Sequence, residues 1–127
     1  MKRKIIATKN APAAVGAYSQ GIKVGDFVFT SGQLPINPET GEMSQTIEEQ
    51  TAQSLKNVSA ILEEAGSSLE QAIKLTVFLQ DISDFAAMNE VYASFFEGAA
   101  PCRSAIEVAA IPKGAKIEIE AIALISK

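Results

Sequence analysis

The stretch "KIEIEAIALI", residues 116–125, decides how the chain folds. Ile117, Ile119, Ala121, Ala123 and Ile125 form an unbroken apolar row. The alternate row, Lys116, Glu118, Glu120, Ile122 and Leu124, is half charged and half apolar. A β-strand sends successive side chains to opposite faces, so this is a strand with one face made for a core. The other face is too apolar to be made for water alone. Upstream, "RSAIEVAA" (103–110) reads as a second strand, joined to the first by a turn at Pro112-Lys113-Gly114.

The same reading extends toward the N-terminus. "KIIAT" (4–8) is a short strand, and "NAPAAVGAYSQG" (10–21) is a loop of small residues. "IKV" and "FVFTSG" are strands joined by a Gly25-Asp26 hairpin turn, and "QLPINPETGEMSQ" (33–45) is a surface loop. Thr46 and Glu49 fit a capping box, and Ile47, Thr51, Leu55, Val58, Leu62 and Ala65 recur at helical spacing. Gly66 ends that helix as a left-handed cap. "IKLTVFLQD" (73–81) alternates as a strand. Ser83 is the expected cap of a second helix with Phe85, Met88, Tyr92 and Phe95 on one stripe.

The order is β-β-β-α-β-α-β-β, an α+β fold with a mixed sheet, in one domain over residues 1–127. Right-handed crossovers put both helices on one face of the sheet. Two helices cannot cover both faces. The apolar half of the second row on the last strand therefore predicts a homo-oligomer whose open sheet faces meet.

Composition narrows the chemistry. Hydrophobic residues make up 47% of the chain, enough for a packed core. No apolar run is long enough to span a bilayer, and the basic start lacks the apolar segment of a signal peptide. The lone Cys102 cannot form an internal disulfide, which points to the reducing cytoplasm. Fifteen acidic against eleven basic side chains disfavour a protein held on nucleic acid by phosphate contacts. The chain has no histidine, which removes Ser-His and Cys-His nucleophile pairs. No nucleotide-binding glycine motif is present, so no cofactor is expected.

Three groups remain as candidates. Cys102 has no histidine to act as its base, and alternation turns Arg103 to the opposite face; the thiol reads as a small apolar filler. Arg103 opens a strand just after a proline, and its planar fork suits a carboxylate or phosphate. An ion pair with Glu107, on the same strand face, is the competing explanation. Glu118 and Glu120 share a face at about 6–7 Å, suited to acid–base work on a water or simply to solvation beside lysines. Tyr18, Ser31 and Asn89 are polar residues beside apolar ones and singly mean little.

Taken together, "NAPAAVGAYSQG", "FTSGQLPINPETGE", "TVFLQDISDFAAMNEVYASFF" and "APCRSAIEVAAIPKGAKIEIEAIAL" resemble the reactive intermediate deaminase family, the RidA, YjgF-like or L-PSP proteins. The similarity runs nearly end to end. It implies a chorismate-mutase-like fold and a homotrimer whose sheets form a central barrel, with three sites between subunits. It also implies cofactor-free hydrolysis of enamines and imines, such as 2-aminoacrylate, to 2-keto acids and ammonia. Arg103 matches the family arginine that clamps the substrate carboxylate. Glu118, and not Glu120, matches the glutamate that positions the attacking water. Tyr18, Ser31, Gly32 and Asn89 fall on positions lining the same pocket. Ala105 stands where several relatives carry a cysteine; if that position serves through its backbone, alanine suffices.

Two other functions stay open on these residues. One is an endoribonuclease or translation inhibitor, which salt-dependent RNA binding would reveal. The other is a module that holds 2-keto acids without turnover, for which Glu118 would be superfluous.

Overall fold

The strand that decides the fold lies inside the sheet, not at its edge. The computed structural model describes residues 1–126. Its strands are β1 (Arg3–Ile6), β2 (Gly21–Val24), β3 (Phe27–Thr30), β4 (Ala72–Leu79), β5 (Cys102–Glu107) and β6 (Ile117–Leu124). They form one sheet in the order β1-β2-β3-β6-β4-β5. Strand β6 runs antiparallel to both of its neighbours, β3 and β4. Those neighbours are therefore parallel to each other, and helix α1 (Ile47–Glu64) makes the crossover between them. Helix α2 (Phe85–Ser94) makes a second crossover, from β4 to its parallel neighbour β5.

Alternation sorts the side chains as the sequence pattern dictates. Ile117, Ile119, Ala121 and Ala123 of β6 are buried with Leu75, Val77 and Leu79 of β4. They join Leu55, Val58, Ile61 and Leu62 of α1 and Met88 and Tyr92 of α2 in one core, so both helices cover this face. The other face carries no helix. There Phe27 and Phe29 are each 42% exposed, Leu124 is 39% exposed and Ile106 is 46% exposed. Phe27 lies opposite Leu124 and Phe29 opposite Ile122, so the apolar side chains form a continuous band.

The caps of α1 follow the sequence reading with one change. The Glu49 amide donates to Thr46 Oγ1 at 3.2 Å, while the Thr46 hydroxyl itself donates to Glu49 Oε1 at 3.0 Å. At the other end Gly66 takes φ +86°, and Ser67 N and Gly66 N donate to the carbonyls of Leu62 and Glu63. This is the paired C-terminal bond pattern that a left-handed glycine allows. For α2 the expected Ser83 cap is corrected. Asp81 caps a 3₁₀ turn at Ile82–Asp84, accepting from both Ser83 N (2.9 Å) and Ser83 Oγ (2.7 Å). Those two bonds hold the Asp81 carboxyl below its ordinary pKa. Ser83 is spent as the donor because Asp81, two residues earlier, is the better acceptor.

Polar side chains on the buried face of α1 tie the long loop to the sheet. Asn57, fully buried, donates to the carbonyls of Leu34 (3.0 Å) and Ile36 (2.9 Å) and accepts from Gln53 Nε2. Gln50 donates to Ser44 O and accepts from Lys116 N, each at 2.8 Å. Asn57→Ala leaves two partly buried carbonyls without this partner and should cost about 1–2 kcal/mol. Urea unfolding of Asn57→Ala beside the exposed-site control Lys56→Ala checks this; equal stability of the two would show that the carbonyls find other partners.

Candidate active site

Of the residues that the family resemblance assigns to the site, all except Ala105 line one of two clefts, which open on different parts of the chain. The larger, about 700 Å³, is lined by Tyr18, Ser31, Gly32 and Glu118, with apolar walls from Val15, Leu34, Ile36 and Met43. The smaller, about 480 Å³, is lined by Asn89, Tyr92, Phe96, Pro101 and Arg103. Ala105 lines neither cleft; it is half-buried against the core.

The larger cleft is built where β3 runs on past its last ladder residue. Gln33 N donates to Ile119 O at 2.7 Å and Ile119 N returns the bond to Gln33 O at 3.2 Å. That isolated bridge sets Gly32 against the neighbouring Glu118. A Cβ on Gly32 would lie 2.6 Å from Glu118 Oε2, so any larger residue would push the carboxylate out of this position. Ser31 Oγ donates to Ser19 O at 2.6 Å, so its proton is committed while its lone pairs are not. Burial raises the Glu118 pKa above its ordinary 4.5, and the like charge of Glu120 adds to the rise. A carboxylate raised in this way is suited to taking and returning a proton.

The smaller cleft is built by α2 lying over β5. Arg103 is half-buried, and its Nη1 donates to Asn89 Oδ1 at 2.6 Å. Its guanidinium carbon lies 4.8 Å from the Tyr92 ring centroid and 5.3 Å from that of Phe85. All three partners are neutral. Glu107, the partner suggested by strand spacing, instead accepts from Ile82 N at 2.9 Å. The competing Arg103–Glu107 ion pair is thus not formed, and the guanidinium keeps unused donors beside a cleft. Asn89 acts on the arginine directly, a different use from a plain lining position.

Cys102 is exposed, which corrects its reading as a filler. It sits opposite Lys74 on the helix-free face, since β5 is an edge strand with nothing packed over that side. Arg103, one residue on, points to the helix side. Sequence reasoning missed the roles of Gln33, Phe85 and Tyr92. For the last two the signal was available: Phe85, Asn89 and Tyr92 recur at spacings of four and three, which is one helix face.

Arg103 and Glu118 do not meet within one chain. Arg103 is in register with Leu75, and Leu75 with Ala121, three residues beyond Glu118 on β6. Two strand spacings and three residues of rise separate the Cα atoms by about 14 Å. The odd offset also turns the two side chains to opposite faces of the sheet.

Residues 8–125 match the family described as Endoribonuclease L-PSP. The chain is 52% identical to a RutC family protein of Pyrococcus abyssi, over 97% of this chain and 98% of that one. It is 51% identical to the 2-iminobutanoate/2-iminopropanoate deaminase of Escherichia coli, over 95% of this chain and 97% of that one. The solved structure of Escherichia coli TdcF with bound serine superposes with a TM-score of 0.94 at 50% identity, over 97% of this chain and 99% of that chain. A match that spans nearly the whole sequence and the whole fold leaves one assignment: the chain belongs to the L-PSP family, the family of the reactive intermediate deaminases.

Proposed function

We propose that this chain is a cofactor-free hydrolytic deaminase, turning reactive 2-imino and 2-enamino acids such as 2-aminoacrylate into 2-keto acids and ammonia at sites completed between copies of the chain. The observation that carries this reading is Arg103, an arginine held in a cleft by neutral partners only. A guanidinium placed so is a receptor for a carboxylate from outside the chain, and a 2-imino acid brings one. The relatives named as 2-iminobutanoate/2-iminopropanoate deaminases, half identical along nearly the whole chain, favour that substrate class. Serine, bound in the TdcF structure, has the same α-carboxylate on a three-carbon frame.

The chemistry asks little of the protein. The imine carbon is already electrophilic, so what is needed is orientation, a water and a path for its proton. Glu118 takes a proton from that water as the oxygen bonds to C2. The protonated imine becomes a neutral carbinolamine, and its nitrogen takes the proton back from Glu118. As the C–N bond breaks and ammonia leaves, the hydroxyl gives its own proton to Glu118 and becomes the keto-acid carbonyl. An enamine such as 2-aminoacrylate enters as its imine tautomer, after a proton moves from nitrogen to C3. Arg103 holds the carboxylate in place throughout. Glu120 raises the proton affinity of Glu118 and takes no step itself. Tyr18, Ser31 and Gly32 line the half of the site that holds the water. Ala105, whose methyl packs against the core, serves through its backbone.

The two halves come together only if Arg103 of one copy faces Glu118 of the next. The exposed band of Phe27, Phe29, Ile122 and Leu124 supplies a surface for that contact, and its burial stabilises association. A homotrimer of the chorismate-mutase-like type, with its open sheet faces turned inward, satisfies both demands with three equivalent sites.

Mixing two inactive variants tests the shared site. Arg103→Ala should lose a factor of ~100 or more in kcat/KM, and Glu118→Gln a similar factor in kcat. Unfolded together and refolded one to one, they form mixed trimers in which about a quarter of sites carry both native groups. Turnover of imines generated by an amino acid oxidase should then recover to about a quarter of the native rate. Recovery no greater than the sum of the two variants would mean that each site belongs to one chain.

The pH dependence supplies a second test. Bound substrate neutralises Arg103, so burial and Glu120 dominate the Glu118 pKa in the complex. Turnover needs the ionised base, so kcat should rise with pH through a point above 4.5 and then level off. In Glu118→Gln the rise should vanish; its persistence there would assign the proton transfer to another group.

A further inference from the structure

The Arg103 side chain is held by three residues of one helix face. Phe85, Asn89 and Tyr92 stand at i, i+4 and i+7 of α2, and each touches the guanidinium. Asn89 takes one of its five donors. The two rings take none in the manner of an anion: an aromatic face attracts a cation through its quadrupole and carries no formal charge. An Asp or Glu in the same place would hold the arginine more strongly, and would also compete with an incoming carboxylate for the fork. Tyr92 is the better placed ring, at 4.8 Å, and it is 4% exposed. Phe96 packs against its ring at 4.9 Å and fixes its plane. The Tyr92 hydroxyl is buried without a hydrogen-bond partner among the described residues, so the ring and not the hydroxyl does the holding.

We infer that Tyr92, assisted by Phe85, is a positioning residue for carboxylate recognition: its ring face fixes the Arg103 guanidinium in the cleft without neutralising it. This rests on the reading of Arg103 as the carboxylate clamp. A long arginine left unsupported spreads over many rotamers, and each binding event must then order it. A neutral aromatic support does that ordering in advance and leaves the charge for the ligand.

Ring fluorination separates this role from simple packing. Successive fluorines on a phenylalanine at position 92 keep its shape nearly constant while draining negative charge from the ring face. With Tyr92→Phe as the start of the series and pyruvate as the probe, calorimetry should show the Kd rising at each fluorine. Across the series the weakening should reach roughly fivefold to tenfold. KM for the oxidase-generated imine should follow, while kcat stays within about twofold. Tyr92→Leu should bind pyruvate more weakly than Tyr92→Phe, both measured below their melting temperatures so that only folded protein is compared. The same series at Phe85, where the native residue is already phenylalanine, should show a smaller slope and needs no change of packing. Arg103→Ala is the control that keeps the two ideas apart. If it binds pyruvate as the native protein does, the clamp itself is wrong and this inference falls with it. If it loses binding while Kd is flat across both fluorine series, the clamp stands and the aromatic support is refuted.

Discussion

A β-strand turns neighbouring side chains to opposite faces, and the placement of both reactive groups follows from that rule. Arg103 shares its face with Leu75 and Ala121, which lie under the helices. Glu118, an odd number of residues from Ala121, has to face the other way. Neither residue can be moved to its partner's face without turning an entire row of the sheet inside out. A site that uses both must therefore be assembled from two chains. The helix-free face carries the Glu118 carboxylate and also the apolar band of Phe27, Phe29, Ile122 and Leu124.

The electrostatics of the two clefts share a feature that folding alone would not favour. Around Arg103 the chain offers an amide and two rings where a carboxylate would stabilise more. Around Glu118 it offers partial burial and a second carboxylate, both of which oppose ionisation. Each cleft holds its charged group at some cost to the isolated chain. The charges have opposite sign, and on the deaminase reading one ligand relieves both, bringing a carboxylate to Arg103 and a water-derived proton to Glu118. Such tension between stability and function is what a site built from side chains has to work with.

Much of the fold is legible in the amino-acid sequence alone. The two rows of "KIEIEAIALI", the Gly25-Asp26 hairpin and the Thr46–Glu49 pair each rest on a local rule, and local rules are visible in sequence. The second helix shows where such rules run out. Asp81 and Ser83 are both capping residues, and only geometry tells which is acceptor and which is donor. Asn57 and Gln50 are invisible in sequence for a different reason. A polar residue on a helix reads as solvated unless the loop carbonyls it meets are known, and those lie about twenty residues away in the chain. For Arg103 the strand spacing offers Glu107, since opposite charge stands out in sequence. The actual partners come from the helix that the β4-to-β5 crossover lays over it, and two of the three are aromatic.

The same crossover explains why the arginine's support is so compact. A right-handed connection between adjacent parallel strands returns α2 directly over the strand that it precedes. Its inward face meets β5 at Arg103, and one turn above and one turn below Asn89 lie within reach of a single guanidinium. The glutamate cleft depends instead on the run of β3 onward through Ser31, Gly32 and Gln33 and on α1 holding the loop at Leu34 and Ile36. One half-site is thus secured by a helix face and the other by a strand end. The surfaces left bare by each, the edge of β5 and the apolar band of the open sheet, are the ones through which a second copy would bring them together.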